Sequence, residues 1–382
     1  MIRRPPRSTL DRSSAASDVY KRQFLYPHSY QWEIMKNRNW TTIGHDQILE
    51  ILGKAVELDR MSHSFVITGI ESVGKMTVAL DIAKAANCEI SNTEQRPCGE
   101  CSQCQRIQSG YHTDVFIYDL EIKDGTSGQL STTITMEQLR EDFLKQIYRK
   151  PFEGKTRVFI IASADLMRLE QSNILLKTLE EPPDDTIIIL LATGTENLLE
   201  TIVSRCQLLQ LKPASTEKIM EVISDSDFHT EIERNKIARL ARGRIGWAIR
   251  ASGDSTVVMD LEKYLDSVES AVTGSLEDRF EFSRVLAMRF REDTRIGMYD
   301  MDLMLTWWRD LLMLSIDSDM EIVNISRRTT MEDILRSLTT AEIVKAISQV
   351  RIALDNIQKN LNPRLVCDNM MLKFPVTTIS SS

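Results

Sequence analysis

Three short runs in this chain are apolar at almost every position, and they restrict the fold more than any other feature. Ser64–Thr68 (SFVIT), Arg157–Ala162 (RVFIIA) and Thr186–Ala192 (TIIILLA) show no alternation of polar and apolar residues. A strand with one wet face alternates, whereas one that is apolar throughout needs cover on both faces, as in a parallel sheet between helices. The stretches between them carry helical spacing: His45–Leu58, Thr77–Ala86, Met136–Tyr148, and Gln171–Leu179, which Pro182-Pro183 stops. Asp114–Leu120 and Cys206–Leu211 complete the expected strands. After Pro213 the strands cease. Residues 216–250 read as a small helical unit and 258–375 as a longer run of amphipathic helices. The expected fold is therefore α/β with a parallel sheet at 35–213, followed by helical domains at 214–254 and 255–382.

A length of 382 residues suits two or three such domains. The 47 Lys+Arg against 55 Asp+Glu give a net charge of −8, so overall charge cannot hold a phosphate backbone. No run approaches the roughly 18 to 20 uninterrupted apolar residues of a membrane span. Met1–Gln23 has no hydrophobic periodicity and lacks the apolar core of a secretory signal. It resembles translated adaptor or vector sequence, although its Arg- and Ser-rich composition also suits a transit peptide. Residues 1–34 are expected to be a non-native or disordered leader, with the native start near Met35. Leaving them out removes six basic and three acidic residues, which takes the charge to −11.

Gly69-Ile70-Glu71-Ser72-Val73-Gly74-Lys75 joins the first strand to a helix, the context a phosphate-binding loop requires. Its glycines let backbone amides wrap phosphates, the helix N-terminus adds positive potential, and Lys75 reaches the outer phosphates. ATP or ADP is the expected ligand, and Gly69, Gly74, Lys75, Met76 and Thr77 are the expected contacts. The hydroxyl that holds Mg²⁺ in such loops is missing: Met76 stands there, and Thr77 comes one place late. The third strand ends in Ala162-Ser163, where an ATPase places acidic residues for metal and water. Asp165 lies beyond it as an expected cap or packing residue. A Gly-rich turn with no ligand fits the same residues.

Four of the six cysteines fall between positions 88 and 104. Cys88, Cys98, Cys101 and Cys104 offer four thiolates from one excursion, two pairs being close enough to chelate one ion from tight turns. A closed structural Zn²⁺ site is expected. An iron–sulfur cluster suits the compact spacing as well, and free surface thiols are the bland alternative. Cys206 and Cys367 are expected to be buried small apolar residues.

Further segments add specificity: Trp40-x2-Ile43-Gly44-His45, Met61–Phe65 (MSHSF), Asn173–Pro183 (NILLKTLEEPP), Thr201–Gln207 (TIVSRCQ), Trp307–Leu312 (WWRDLL) and Asn360–Leu365 (NLNPRL). With the cysteine spacing, they resemble the delta-prime family of the bacterial DNA polymerase III clamp loader. These are AAA+ proteins related to the gamma/tau subunits. The resemblance covers most of 40–375. It implies an AAA+ P-loop domain with a zinc module at 88–104, a helical lid at 214–254 and a helical collar at 255–382. It also implies that Arg205 is a trans-acting arginine finger, a guanidinium offered to a neighbour's γ-phosphate. Thr193 and Thr195 fall in the region of the family's first sensor, and Gly246 stands where an ATPase puts the arginine of its second.

The departures at Met76, Ala162-Ser163 and Gly246 favour a subunit that does not hydrolyse ATP. Implied partners are gamma/tau and delta subunits and, through the assembled complex, the sliding clamp and primed DNA, in the cytoplasm. The resemblance ties the chain to a DNA-directed DNA polymerase complex, while nothing in the sequence supports nucleotidyl transfer by the chain itself. Two other readings stay open. One is a gamma/tau-like active ATPase using Thr77 and Asp165. The other is a zinc-dependent nucleic-acid-binding module. The tryptophans at 307 and 308 are expected in the helical core and at a subunit interface rather than stacked on bases. Glu180 and Glu181 are expected to be solvated.

Overall fold

The computed structural model describes residues 38–118, 143–196, 198–224, 230–316 and 322–377. The leader at 1–34, Met35 and most of the helix expected at Met136–Tyr148 lie outside the described residues.

Five strands form one sheet: β1 (Ser64–Thr68), β2 (Val115–Tyr118), β3 (Arg157–Ile161), β4 (Thr186–Ala192) and β5 (Gln207–Gln210). Their order is β2-β3-β4-β1-β5, and every pairing is parallel. The central strands β3, β4 and β1 are buried at every residue. Alternate side chains serve two cores. Phe65, Ile67, Ile187 and Ile189 pack with Leu52, Val78 and Ile82 on one face. Val66, Ile188 and Leu190 pack with Ile147, Leu175 and Leu179 on the other. The helices that supply these partners are α1 (Asp46–Glu57), α2 (Lys75–Asn87), α4 (Leu144–Ile147) and α5 (Leu169–Glu180). Between them in the chain comes α3 (Ser102–Gln108), and α6 (Glu200–Val203) leads into β5.

The expectation of burial on both faces fails at the edges. Ile117 on β2 and Leu208 on β5 are 46% and 44% exposed. An edge strand has a sheet neighbour on one side only, so its apolar residues need not be enclosed.

Past β5 the described chain is helical: α7 (Thr216–Val222), α8 (Glu231–Ala241), α9 (Ile245–Gly253), α10 (Ser255–Thr273), α11 (Leu276–Glu292), α12 (Thr294–Ser315), α13 (Arg328–Leu335), α14 (Thr340–Gln358) and α15 (Pro363–Leu372). Capping boxes built on Thr230, Ser275 and Thr339 begin three of them by satisfying otherwise orphaned amides. Buried side chains from Ile219 to Phe374 form one continuous core. Trp307 and Trp308 are wholly buried in it, edge to face at 5.1 Å, as expected of core residues. Cys367 is buried as expected. Cys206 is only half-buried, at the margin of the sheet core, where the edge strand leaves it partly open.

Candidate functional site: a phosphate loop, a cysteine cluster and a remote arginine

The loop after β1 owes its shape to backbone geometry. Gly74 has φ +114°, a conformation that side-chain-bearing residues rarely adopt, and from it α2 starts directly at Lys75. The Lys75 ammonium turns back onto the loop, donating to the carbonyls of Gly69 at 2.5 Å and Ile70 at 3.1 Å. Burial pulls its pKa below the ordinary lysine value, and the nearby carboxylates of Asp165 and Glu71 partly oppose that. Met76 packs against the core shared by α2 and the sheet, and Thr77 is half-buried one place on.

Two distant parts of the chain hold the loop from outside. Asp81 on α2 is fully buried, paired with Lys84 at 2.6 Å. It accepts the amides of Thr41 and Thr42, which fixes the segment leading into His45. The His45 ring then lies 3.1 Å from the Val73 carbonyl. From the other side, α9 meets the loop backbone: the Gly246 amide donates to the Ser72 carbonyl at 2.9 Å. A Cβ at Gly246 would stand 3.0 Å from that same oxygen, a tight contact that the absent side chain avoids. One turn further along α9, Arg250 donates to the Ser72 hydroxyl at 3.0 Å. Within the helical part, the sequence marks Gly246 and its neighbours as the second-sensor region, and nothing in it marks Arg250. Arg250 was detectable only as the position one turn after Gly246.

The end of β3 brings no carboxylate to the expected metal position, since Ala162 and Ser163 stand there. Asp165 sits in the turn that follows. It accepts both the backbone amide (2.9 Å) and the hydroxyl of Thr193. The expected packing role thus becomes specific: Asp165 ties the β3 turn to the end of β4. Thr193 and Thr195 line a cavity of about 290 Å³ beside Gly69, together with Thr68, Glu196 and Gln210. The donor set of the loop suits phosphate. With Met76, Ala162 and Ser163 at the metal-holding positions, the residues do not fit a catalytic Mg²⁺ held in the usual way.

Arg205 lies at the opposite end of the sheet. The Ser64 hydroxyl, at the start of β1, donates to the Arg205 carbonyl at 2.9 Å, whereas the loop begins at the end of that strand. Five residues at about 3.3 Å each separate the two levels by about 16 Å, more than an arginine side chain spans. The guanidinium pairs with Glu180 at 2.7 Å and donates to the Thr201 carbonyl at 2.9 Å. Glu180, expected to be merely solvated, therefore has a definite partner, because α5 ends beside the turn that follows α6.

The four cysteines come together as their spacing suggests. Their sulfurs all lie within 4.8 Å of one another, Cys88 and Cys101 being 4.0 Å apart. Tetrahedral zinc with Zn–S bonds of about 2.3 Å needs sulfurs about 3.8 Å apart, so the set needs only a small contraction. The Cys101 amide donates to the Cys98 sulfur at 3.3 Å. The Cys104 thiol and nearby amides hold Cys88 well below the usual thiol range, while that contact and burial push Cys104 up. Four adjacent sulfurs of which one readily carries charge suit a soft cation.

A family described as "DNA polymerase III, delta subunit" matches residues 44–215, a span from the turn before α1 to the N-cap of α7. DNA polymerase III subunit delta' of Bacillus subtilis is 26% identical over 326 residues, 85% of this chain and 94% of the relative. The chain is similar to the DNA polymerase III delta' subunit along most of both chains. DNA polymerase III subunit tau of Escherichia coli is 30% identical over 68% of this chain, which spans only 40% of that longer protein. Among solved structures, a gamma-subunit-related protein of Thermotoga maritima covers 85% of this chain at 17% identity with a TM-score of 0.40. The Bacillus subtilis clamp loader delta protein covers the same share at 13% identity and 0.33. Both superimpose only loosely.

Proposed function

We propose that this delta' relative is a subunit of a bacterial DNA polymerase III clamp loader that does not itself hydrolyse ATP. In this reading it assembles with gamma/tau and delta subunits in the cytoplasm and helps place a sliding clamp on primed DNA. The observation that carries the reading is the separation of chemistry along β1: a phosphate loop without metal ligands at one end and Arg205 at the other. An arginine about 16 Å from its own loop serves a neighbour's γ-phosphate or none. The division into an AAA+ domain at 35–213, a lid at 214–254 and a collar at 255–382 belongs to the same proposal.

In the assembled complex, Arg205 leaves Glu180 and places its planar guanidinium against charge that develops on the neighbour's transferring phosphoryl group. The loop holds ATP or ADP through Lys75 and its amides without turning it over. Cys88, Cys98, Cys101 and Cys104 hold Zn²⁺, which supplies cross-linking rather than chemistry, since four thiolates leave no open position.

Reconstitution with gamma/tau and delta partners tests this. DNA-stimulated ATP turnover should fall sharply for Arg205→Ala, and Arg205→Lys should not restore it, because an ammonium lacks the fork. Unchanged turnover in Arg205→Ala would remove the finger assignment. A second reading, an active gamma/tau-like ATPase, draws on the influence of Asp165 upon Lys75.

A further inference from the structure

Two cations meet the phosphate loop through neutral groups. Lys75 donates to two backbone carbonyls of the loop. Arg250 donates to the Ser72 hydroxyl, a contact that joins positions 178 residues apart, and among the described residues it pairs with no carboxylate. A guanidinium offers five donors in a rigid fork, and a single hydroxyl engages little of that capacity. Gly246 keeps the approach of α9 to the loop close: a Cβ there would stand 3.0 Å from the Ser72 carbonyl, and α9 and the loop would have to part by a few tenths of an ångström to admit it. Helical periodicity then puts position 250 on the face that position 246 already presents to the loop.

We propose that Arg250 is a phosphate-binding residue that the helical part of the chain supplies to a nucleoside di- or triphosphate held at loop 69–75. The inference rests on the nucleotide-binding reading above and deepens it. Its physical basis is charge balance. Met76 removes the hydroxyl for a metal, Ala162 and Ser163 remove the acids, and Glu71 adds a negative charge within the loop. A polyphosphate bound there must be neutralised by side chains, and Lys75 alone leaves most of its charge unmet. Arg250 is the further cation in contact with the loop. A phosphate, offering two charged oxygens in a guanidinium-matching geometry, displaces the single neutral hydroxyl. The Ser72 hydroxyl is then a resting partner, and binding requires no divalent metal.

The test is equilibrium binding of a fluorescent ADP analogue to the full chain in EDTA, with unlabelled ADP and inorganic pyrophosphate as competitors. Wild type should bind, and Mg²⁺ should not be needed. Arg250→Ala should raise Kd about tenfold and weaken pyrophosphate competition, and Arg250→Lys should recover part of the loss. Wild-type affinity, or tighter binding, in Arg250→Ala overturns the proposal and leaves nucleotide binding intact. Failure of wild type to bind ADP with or without Mg²⁺ overturns both, whereas binding that needs Mg²⁺ and that Arg250→Ala does not alter overturns the Arg250 proposal alone. Matching thermal melts of wild type and Arg250→Lys keep the comparison free of unfolding.

Discussion

The Arg205 guanidinium lies 2.7 Å from the Glu180 carboxylate, with the arginine 35% and the glutamate 51% exposed. An ion pair this open contributes under about 1 kcal/mol, because water and salt screen it and two long side chains must be ordered to make it. It is strong enough to set the resting direction of the arginine and weak enough for a phosphoryl group to displace.

Replacing Glu180 with Gln should therefore leave the thermal midpoint within about 2 °C of wild type. In a reconstituted complex it should maintain or raise partner turnover, since the arginine is released. A loss of turnover comparable to that of Arg205→Ala would mean that Glu180 orients the arginine productively rather than parking it.

The isolated chain should show no ATP hydrolysis that depends on its own lysine. Without a hydroxyl at Met76 or acids at Ala162 and Ser163, the groups that order metal and attacking water are missing. Steady-state phosphate release should be the same for wild type and Lys75→Ala. Turnover that Lys75→Ala abolishes would establish the gamma/tau-like alternative.

The cysteine cluster should hold one zinc ion per chain, measurable by elemental analysis and colourless in the visible, whereas an iron–sulfur cluster would absorb there. Cys101→Ser should lose the metal, and chelation should lower the melting temperature by about 2–4 °C for each kcal/mol of lost stability. Since thiols must lose protons to bind, affinity should fall as pH falls.

Burial lifts the Asp300 carboxyl on α12 to about 6 despite its pairing with Arg289. A folded-state pKa above the unfolded value means that the folded protein binds the extra proton. The associated stability is present below about pH 4 and lost as pH rises through about 6. Denaturant titrations at pH 4 and pH 7 should show a loss on the order of 2–3 kcal/mol from this group. Asp300→Asn should abolish that component; an unchanged difference between the two pH values would show that other groups account for it.

How much of this was legible in the sequence depends on the range of each interaction. The runs at 64–68, 157–161 and 186–192 announced a doubly covered parallel sheet because burial acts on every residue of a central strand. The edge strands carry apolar residues in sequence too, yet Ile117 and Leu208 on them are less enclosed. The cysteine set could be read from spacing because tight turns determine which sulfurs meet. The contacts of Ser72 with Gly246 and Arg250, of Asp165 with Thr193, and of Arg205 with Glu180 could not. Each depends on how separate elements dock, and no local periodicity encodes docking. The missing side chain at 246 was visible as a departure from an ATPase pattern; that it admits a neighbouring helix was not.

Strand β1, with its loop at one end and the Arg205 carbonyl anchored at the other, makes the subunit directional. A neighbour that receives the arginine contacts the face at the start of the strand, and a neighbour whose arginine reaches this loop contacts the face at its end. Two copies facing each other across a two-fold axis bring like to like and complete neither contact. Only head-to-tail succession satisfies both, and such succession closes into a ring or climbs as a spiral according to the rotation between neighbours. On the proposed roles of Arg205 and the loop, such a subunit in a mixed ring is asymmetric by construction: it would activate one neighbour and end the chain of hydrolysis on its other side.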